Sequence, residues 1–204
     1  MTADQYIYYP ALSASRIKRH YTGDLTRVYK ALEEGQTFHK RLLETHPKFM
    51  DAEAYCVYKA IIANKAWEAI WNESQKEVPQ VKLLSIRGQV VPAKAKFDIK
   101  HPNFIADIKT TSCRTQAEFA QDMLRHYNHI QANWFSMVAG YDPSRFVYIG
   151  VSPQARRGIV KPEGIFFHTH TREELTQGLI LIEKYIDTQW KDTQKYLNLR
   201  SGAL

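Results

Sequence analysis

The sequence predicts a mixed α/β domain built around a central β-sheet flanked by helices. Three observations lead to this fold class: helical periodicity dominates the first part of the chain, short β-rich runs separated by turns follow, and helices and strands then alternate. The chain has 204 residues, the size of one domain, and no repeat or Gly/Ser-rich linker interrupts it. We therefore expect a single domain over 1–204, with a helical segment at about 1–75 and a βββααββα core at about 76–196.

Helices are predicted where apolar residues recur at the helical period. A short basic helix begins at Ser13, whose hydroxyl can cap it, and an amphipathic helix covers 36–45. From Asp51 to about Ser74, apolar side chains recur every three or four residues, which predicts one long helix. The remaining predicted helices are 115–125, 128–139 and a closing helix that opens at Thr171.

Strands are predicted from runs rich in β-branched and aromatic residues between turn residues. The first three runs are joined by short turns at Arg87-Gly88 and His101-Pro102-Asn103, which predicts an antiparallel meander. The predicted strands are 78–86, 89–100, 103–111, 146–152 and 164–170.

The charge of the chain favours a polyanionic partner. Lys and Arg number 28 against 21 Asp and Glu, a formal net charge of +7 that is spread along the chain. Many basic proteins bind nothing acidic, so charge supports nucleic-acid binding but does not establish it.

Cysteine content and hydropathy exclude several classes of protein. Cys56 and Cys113 form no C-x-x-C pair, so they cannot build an iron–sulfur cluster or a cysteine-rich zinc site, and we expect free thiols. The first residues lack a leader pattern, and no apolar run approaches the roughly 20 residues that span a bilayer. We expect a soluble, cytoplasmic protein without a membrane partner.

A charged pair interrupts the otherwise apolar strand in the segment FDIKHPNFIADIKTTS. Side chains alternate along a strand, so Asp107 and Lys109 project from the face opposite to the apolar side chains. Asp98, near the end of the preceding strand, can reach the same face as this pair. The predicted core face consists of Phe104, Ala106 and Ile108.

Two interpretations of this charged group are open. A salt bridge on a solvated sheet face would contribute about 0–1 kcal/mol and need nothing more. Alternatively, two carboxylates about 4 Å apart repel by about 4 kcal/mol at an effective dielectric near 20, and a divalent cation would remove that repulsion. Hard oxygen ligands suit Mg²⁺ or Mn²⁺, and Lys109 could then steady a scissile phosphate.

The motifs resemble the PD-(D/E)xK nuclease superfamily, which carries Asp on one strand and (D/E)-x-K on the next, here Asp98 and Asp107-Ile108-Lys109. ADIKTTS and YNHIQANWFSMVAGY are similar to the D-x-K-T-T and Y-x-x-Q-x-x-x-Y segments of RecE-like and RecB-like exonucleases. Upstream, LSASRIKRHY and GQTFHKRLLE resemble the RecE-type pattern, with His39 at its histidine. The chain departs from these patterns at Phe97, in place of the proline, and at Phe135, in place of a tyrosine.

The resemblance covers about 12–150 and implies a restriction-endonuclease-like core and a function. A RecE-like, phage-type enzyme would be a Mg²⁺-dependent or Mn²⁺-dependent deoxyribonuclease, an exonuclease that resects linear double-stranded DNA ends for recombination. The alternatives are an endonuclease, a single-strand-specific nuclease at the same site, or an inactive DNA-binding module. The resemblance also implies a single-strand annealing protein as partner and a homo-oligomeric ring.

The resemblance assigns roles to individual residues. Asp98 and Asp107 would be catalytic, Lys109 would be the catalytic lysine, and Gln131 would orient that lysine or contact DNA. The implied metal ligands are Asp98, Asp107, the Ile108 carbonyl, His39 and Glu77, with support of another ligand as the alternative role of His39. The predicted DNA-binding residues are Tyr127, Lys94, Lys96, Arg114, Arg156 and Arg157.

Other side chains are expected to have no chemical role. Pairs of histidines have spacings that would suit a transition metal, but no third soft ligand lies nearby, so surface histidines are expected at His126, His129, His168 and His170. The tryptophans expected in the core are Trp67, Trp71 and Trp134.

Overall fold

The fold is a six-stranded mixed β-sheet with helices on both faces, which confirms the predicted fold class. A computed structural model of the protein describes residues 5–6, 9–23, 29–63, 65–157 and 164–201. The strands are β1 Leu12–Ser13, β2 Gln75–Ile86, β3 Gln89–His101, β4 Phe104–Thr110, β5 Phe146–Val151 and β6 Ile165–His168. The helices are α1 Ala14–Thr22, α2 Tyr29–Leu43, α3 Ala52–Ile62, α4 Lys65–Glu73, α5 Gln116–Arg125, α6 Asn128–Ala139, α7 Pro153–Arg156 and α8 Arg172–Ser201. None of the described helices has the length and apolar character needed to cross a membrane.

The sheet combines the predicted meander with parallel pairings. β2, β3 and β4 are antiparallel, β4 and β5 are parallel, and β5 and β6 are antiparallel. β3 is long enough to pair with two strands along one edge, with β1 through Leu12 and Ala93 and with β4 through Ile99 and Ala106. The sequence analysis missed β1, because two residues are too few for alternation to be recognised.

Two hydrophobic cores lie on the two faces of the sheet. The first core is the cluster that contains Ile17, Ile105, Trp134, Tyr148 and Ile182. The second core is the cluster that contains Phe38, Val57, Trp71, Ile108 and Ile149. Helices α1, α5, α6 and α8 contribute to the first core, and α2, α3, α4 and α7 to the second. Along β4, Ile105 belongs to the first core and Ala106 and Ile108 to the second, as alternation predicts.

The helix predicted from Asp51 to Ser74 is wrong as a single element. The chain forms α3 and α4 instead, and Asp51 caps α3 by accepting a hydrogen bond from the Ala54 N–H. Both helices place apolar side chains in the second core. The spacing of apolar residues is therefore similar in the two helices, and it does not reveal where one ends and the other begins. The cap predicted at Ser13 is also wrong in part: Ser13 is the N-cap of α1, but its side chain makes no capping hydrogen bond.

β3 changes core at Asp98. Phe97 packs in the first core and Ile99 in the second, although regular alternation would place both on one face. On the neighbouring strand, the register places Glu77 opposite Asp98, and Glu77 has a left-handed backbone with φ 54°. Strained non-glycine residues of this kind cluster at functional sites.

Helices α6 and α8 cross in very close contact at Gly178. A Cβ atom there would lie 2.6 Å from the backbone oxygen of His129. Beside this crossing, the Asn133 side chain donates hydrogen bonds to the backbone oxygens of His129 and Leu175, both at 2.8 Å. The first turns of α8 are therefore held tightly against α6.

Candidate active site

Asp98 lies where β3 and β4 separate, and its side chain joins the two strands. Its Oδ2 accepts a hydrogen bond from the Ile108 backbone N–H at 2.7 Å and lies 3.4 Å from Nδ1 of His39 on α2. Asp98 is 8% exposed. The sequence analysis placed His39 with this aspartate only through the family resemblance, and the structure brings the two side chains together.

Asp107, Lys109 and Gln131 form a closed polar triangle on the first-core side of β4. Gln131 on α6 donates from Nε2 to Asp107 Oδ1 at 2.6 Å, and Lys109 Nζ donates to Gln131 Oε1 at 3.1 Å. Lys109 Nζ also lies 2.7 Å from Asp107 Oδ2. Asp107 is only 4% exposed, so the interpretation as a salt bridge on a solvated face is wrong. The reason is that α6 covers this face.

The buried charges shift one another's pKa values in opposite directions. Burial would raise the pKa of Asp98, but His39, Lys109 and the Ile108 N–H hold it below its ordinary value. Burial, together with the negative charge of Asp98, raises the pKa of Asp107 despite the nearby Lys109. Burial would lower the pKa of His39, and the Asp98 carboxylate reverses this and raises it. Asp98 is therefore the more readily ionised of the two carboxyl groups, and burial opposes the ionisation of Asp107.

Donor atoms suited to a divalent cation converge next to this charge. One ligand atom each from His39, Glu77 and Asp98 lies within 4.8 Å of the other two. Glu77 also forms an ion pair with Lys96. The donor set fits a hard divalent cation, since two of its three members are carboxylates. Asp107 lies close enough for its charge to act on Asp98 and His39. Ligand roles for Asp107 and the Ile108 carbonyl stay predictions.

The predicted DNA-binding residues divide into engaged and exposed side chains. Lys94 Nζ donates to the backbone oxygens of Tyr6 and Tyr9 at 3.1 and 3.0 Å, and Lys96 pairs with Glu77. Arg156 at the end of α7 pairs with Glu53 at 2.5 Å. The exposed guanidinium-bearing residues of the predicted set are Arg114 and Arg157.

Tyr127 lies directly before α6 with a left-handed backbone, φ 52°. Its half-buried ring stacks on Tyr21 with 6.0 Å between ring centroids. Gln131 reaches Asp107 and Lys109, whereas the contacts of Tyr127 are with the aromatic rings around it. A DNA contact by Tyr127 stays a prediction.

Lys18 is a component of the site that the sequence analysis missed. Its Nζ donates to Asn128 Oδ1 at 2.6 Å. Burial, with the positive charge of Lys109, lowers the pKa of Lys18 to about 7, against the opposing effect of Asp107. Lys18 therefore lies near enough to the centre to sense both charges. In the sequence it is one of several basic residues of α1, and only its contact with α6 distinguishes it.

The expectation of surface histidines is wrong for two of the four. His126 is exposed, but His129 and His170 are each 5% exposed, and His168 is half-buried. Glu174 Oε2 lies 2.9 Å from His170 Nδ1 and offers a third potential ligand atom, which the sequence analysis did not find. The search for soft ligands passed over this carboxylate. The core assignment of the tryptophans is confirmed for Trp71 and Trp134, while Trp67 is partly buried.

Solved structures similar to this chain include those of SSO0001 and LHK-Exo. The crystal structure of SSO0001 is 15% identical, with a TM-score of 0.45, over 86% of this chain and 70% of that chain. The crystal structure of LHK-Exo in complex with dAMP is 12% identical, with a TM-score of 0.43, over 98% of this chain and 97% of that chain. No family model and no curated protein matches the sequence. At these low scores neither likeness carries a functional argument, so a RecE-like relationship stays a prediction.

Proposed function

We propose that the protein is a divalent-cation-dependent deoxyribonuclease, and more specifically a Mg²⁺-dependent exonuclease that acts on linear double-stranded DNA ends. The observation that carries the proposal is the buried pair Asp98 and Asp107, held together with Lys109 and Gln131 where β3 and β4 separate. Burying two carboxylates and a lysine costs free energy that hydrophobic packing would avoid, so a chemical use for them is favoured.

The cation would be held by Asp98, Glu77 and His39, with Asp107 and the Ile108 carbonyl beside them. When bound, Mg²⁺ would polarise a phosphoryl oxygen and lower the pKa of a bound water. His39 orients the Asp98 carboxylate, and the Ile108 N–H occupies one lone pair of the same oxygen. The carboxylate is thereby fixed before any cation arrives.

Lys109 is the group that would contact the scissile phosphate. Gln131 holds it from one side and Asp107 from the other, so its ammonium group is placed rather than free to rotate. A lysine ammonium can donate hydrogen bonds to phosphate oxygens and stabilise the charge that develops in the transition state. Gln131 acts as a positioning residue, because it touches Asp107 and Lys109.

The excess of positive charge supports DNA as the substrate. The chain carries a net charge of +7, and Arg114 and Arg157 are exposed. Lys18 adds positive charge at the centre itself when it is protonated. The preference for ends, the annealing partner and the ring-shaped oligomer rest on the motif resemblance alone.

The test is degradation of end-labelled linear duplex DNA with Mg²⁺, with and without chelator. We expect cation-dependent release of label by the wild-type chain and none by Asp107→Ala or Lys109→Ala. Lys191→Ala, an exposed lysine of α8, is the matched control and should behave as wild type. Undiminished activity of the Asp107 or Lys109 variant would contradict the proposal.

The same assay separates the alternative functions. Closed circular duplex that resists cleavage supports the exonuclease, and its linearisation supports an endonuclease. Degradation of single strands alone identifies a single-strand-specific enzyme. An inactive DNA-binding module would bind the duplex without cleaving it, and calorimetry would then detect no Mn²⁺ binding.

A further inference from the structure

A second group of metal-ligating side chains lies where β6 ends and α8 begins. It consists of His168, His170 and Glu174, whose ligand atoms lie within 4.8 Å of one another. His168 Nε2 is 3.2 Å from His170 Nδ1, and His170 Nδ1 is 2.9 Å from Glu174 Oε2. The His170 side chain is 1% exposed. This group shares no residue with the candidate active site.

Hydrogen bonds alone do not satisfy these three side chains. If His170 Nδ1 carries a hydrogen, this N–H donates to Glu174. His168 Nε2 then either accepts a weak share of the same hydrogen bond or directs its own N–H against the N–H of His170. If Nδ1 is bare, it can accept from His168, but its lone pair then faces the carboxylate at 2.9 Å. A cation would accept a lone pair from all three groups at once.

Hydrogen bonding is also incomplete in the immediate surroundings of the three side chains. His170 Nε2 and His129 Nδ1 are buried and have no hydrogen-bond partner among the described residues. The His129 ring lies edge-on to the His170 ring, with 5.9 Å between centroids. Buried polar nitrogens without partners are uncommon. An ion bound through His170 Nδ1 would not serve Nε2 of the same ring, so the two nitrogens show only that hydrogen bonding around this group is incomplete.

The ligand chemistry identifies the kind of cation. Imidazole nitrogens offer lone pairs to a cation, and they favour transition-metal ions over Mg²⁺. Tetrahedral ligands at zinc's usual bond lengths of about 2.0–2.1 Å are roughly 3.3 Å apart. The separations of 3.2 and 2.9 Å at His170 are close to that value.

We propose that His168, His170 and Glu174 form a binding site for a transition-metal ion of the Zn²⁺ class. Two imidazoles and one carboxylate are an established ligand set for this ion and are softer than the carboxylate-rich donor set at Asp98. The ion would join the end of β6 to the first turn of α8. The proposal does not rest on the proposed nuclease function.

A simple helix cap explains part of the group, but not the histidines. Thr171 and Glu174 form a reciprocal capping pair: the Thr171 N–H donates to Glu174 Oε2 at 3.0 Å, and the Glu174 N–H donates to Thr171 Oγ1 at 3.2 Å. This cap requires neither His168 nor His170. It fixes the carboxylate next to them, which is the preorganisation that a metal site needs.

The test is titration of the full chain with Co²⁺ as a spectroscopic substitute for Zn²⁺. The His39→Ala variant serves as background, so that no imidazole remains among the donors of the other site. We expect about one equivalent of Co²⁺ to give the strong visible absorption of a four- or five-coordinate ion, and Zn²⁺ to abolish it by displacement. The same Zn²⁺ should raise the Tm of the chain.

Variants assign the bound ion to the site. His168→Ala and Glu174→Gln should each lose the absorption and the Tm shift, while His126→Ala, an exposed histidine, should keep both. Glu174→Gln retains an oxygen for the Thr171 cap, and circular dichroism verifies folding. If His168→Ala fails to fold, His168→Gln replaces it. Absence of the absorption in the background variant, or its persistence in the His168 and Glu174 variants, would overturn the proposal.

Discussion

The side chain of Asp98 on β3 takes the hydrogen bond of the Ile108 backbone N–H on β4, 2.7 Å away. The backbone register pairs Ile99 with Ala106, and β3 changes core immediately before this point. A carboxylate therefore continues the contact between the strands where the backbone of β3 turns away. The same oxygen faces His39, so one atom serves both the sheet and the candidate active site.

Asp98→Ala should destabilise the fold more than Asp98→Asn does. Alanine leaves the buried Ile108 N–H without an acceptor, which costs about 1–3 kcal/mol, whereas the asparagine oxygen can still accept. Both variants should lose cation binding. Denaturant unfolding measures the difference, with exposed Asp192→Ala as control. Equal stability of the two Asp98 variants would show that the hydrogen bond contributes little.

Gln131→Met should reduce turnover without reducing cation affinity. Methionine has a similar size but cannot hold Asp107 Oδ1 or Lys109 Nζ, so the lysine loses its placement. We expect at least about a tenfold loss of the nuclease rate, with Mn²⁺ affinity by calorimetry close to wild type. Gln154→Met, at an exposed position, is the control. Parallel losses of rate and affinity would instead place Gln131 among the groups that support the cation.

Glu77→Gln and Lys96→Met separate a ligand from a salt-bridge partner. If Glu77 binds the cation, its amide variant should weaken Mn²⁺ binding about 10–100-fold. Lys96→Met removes the ion-pair partner but keeps the carboxylate, so affinity should stay the same or increase. Calorimetry on both variants decides between these roles. If only Lys96→Met lost affinity for Mn²⁺, cation binding would depend on the lysine and not on the Glu77 carboxylate.

Lys18 should make stability depend on pH between about 7 and 10.5. Its pKa is about 7 in the folded chain and 10.5 for an ordinary lysine, so the unfolded state binds more protons in this window. Stability from this group therefore rises with pH, by about 1 kcal/mol per pH unit. Lys18→Met removes this rise.

The decisive quantity is the change with pH of the difference in unfolding free energy between wild type and Lys18→Met. The absolute size of this free-energy difference also includes the lost hydrogen bond to Asn128, and that contribution changes little with pH. Denaturant unfolding from pH 7 to 10 measures it, with exposed Lys191→Met as control. A difference that does not vary with pH would show that Lys18 stays charged in the folded chain.

Gly178→Ala should destabilise the packing of α6 against α8. The added Cβ would lie 2.6 Å from the His129 backbone oxygen, and overpacking of this kind costs about 1–3 kcal/mol. Alanine otherwise favours a helix, so exposed Gln177→Ala should be neutral or stabilising. Thermal unfolding measures both. A Gly178→Ala variant as stable as wild type would mean that the two helices separate at little cost.

Local patterns predicted most elements because each buries one face at a regular period. The meander and the alternation along β4 follow from turn residues and spacing alone. Periodicity does not state what covers a face, and so the burial of Asp107 beneath α6 was not predictable. Lys18 and Asn128 are 110 residues apart, and no local pattern encodes such a contact.

The change of core at Asp98 lets the two helical layers supply different parts of one centre. His39 belongs to α2, whose neighbouring Phe38 packs in the second core, while Gln131 and Lys18 come from helices of the first. The sheet separates the packing of these layers. Substitutions within the second core would therefore act first on His39, and substitutions within the first core on the groups that hold Lys109.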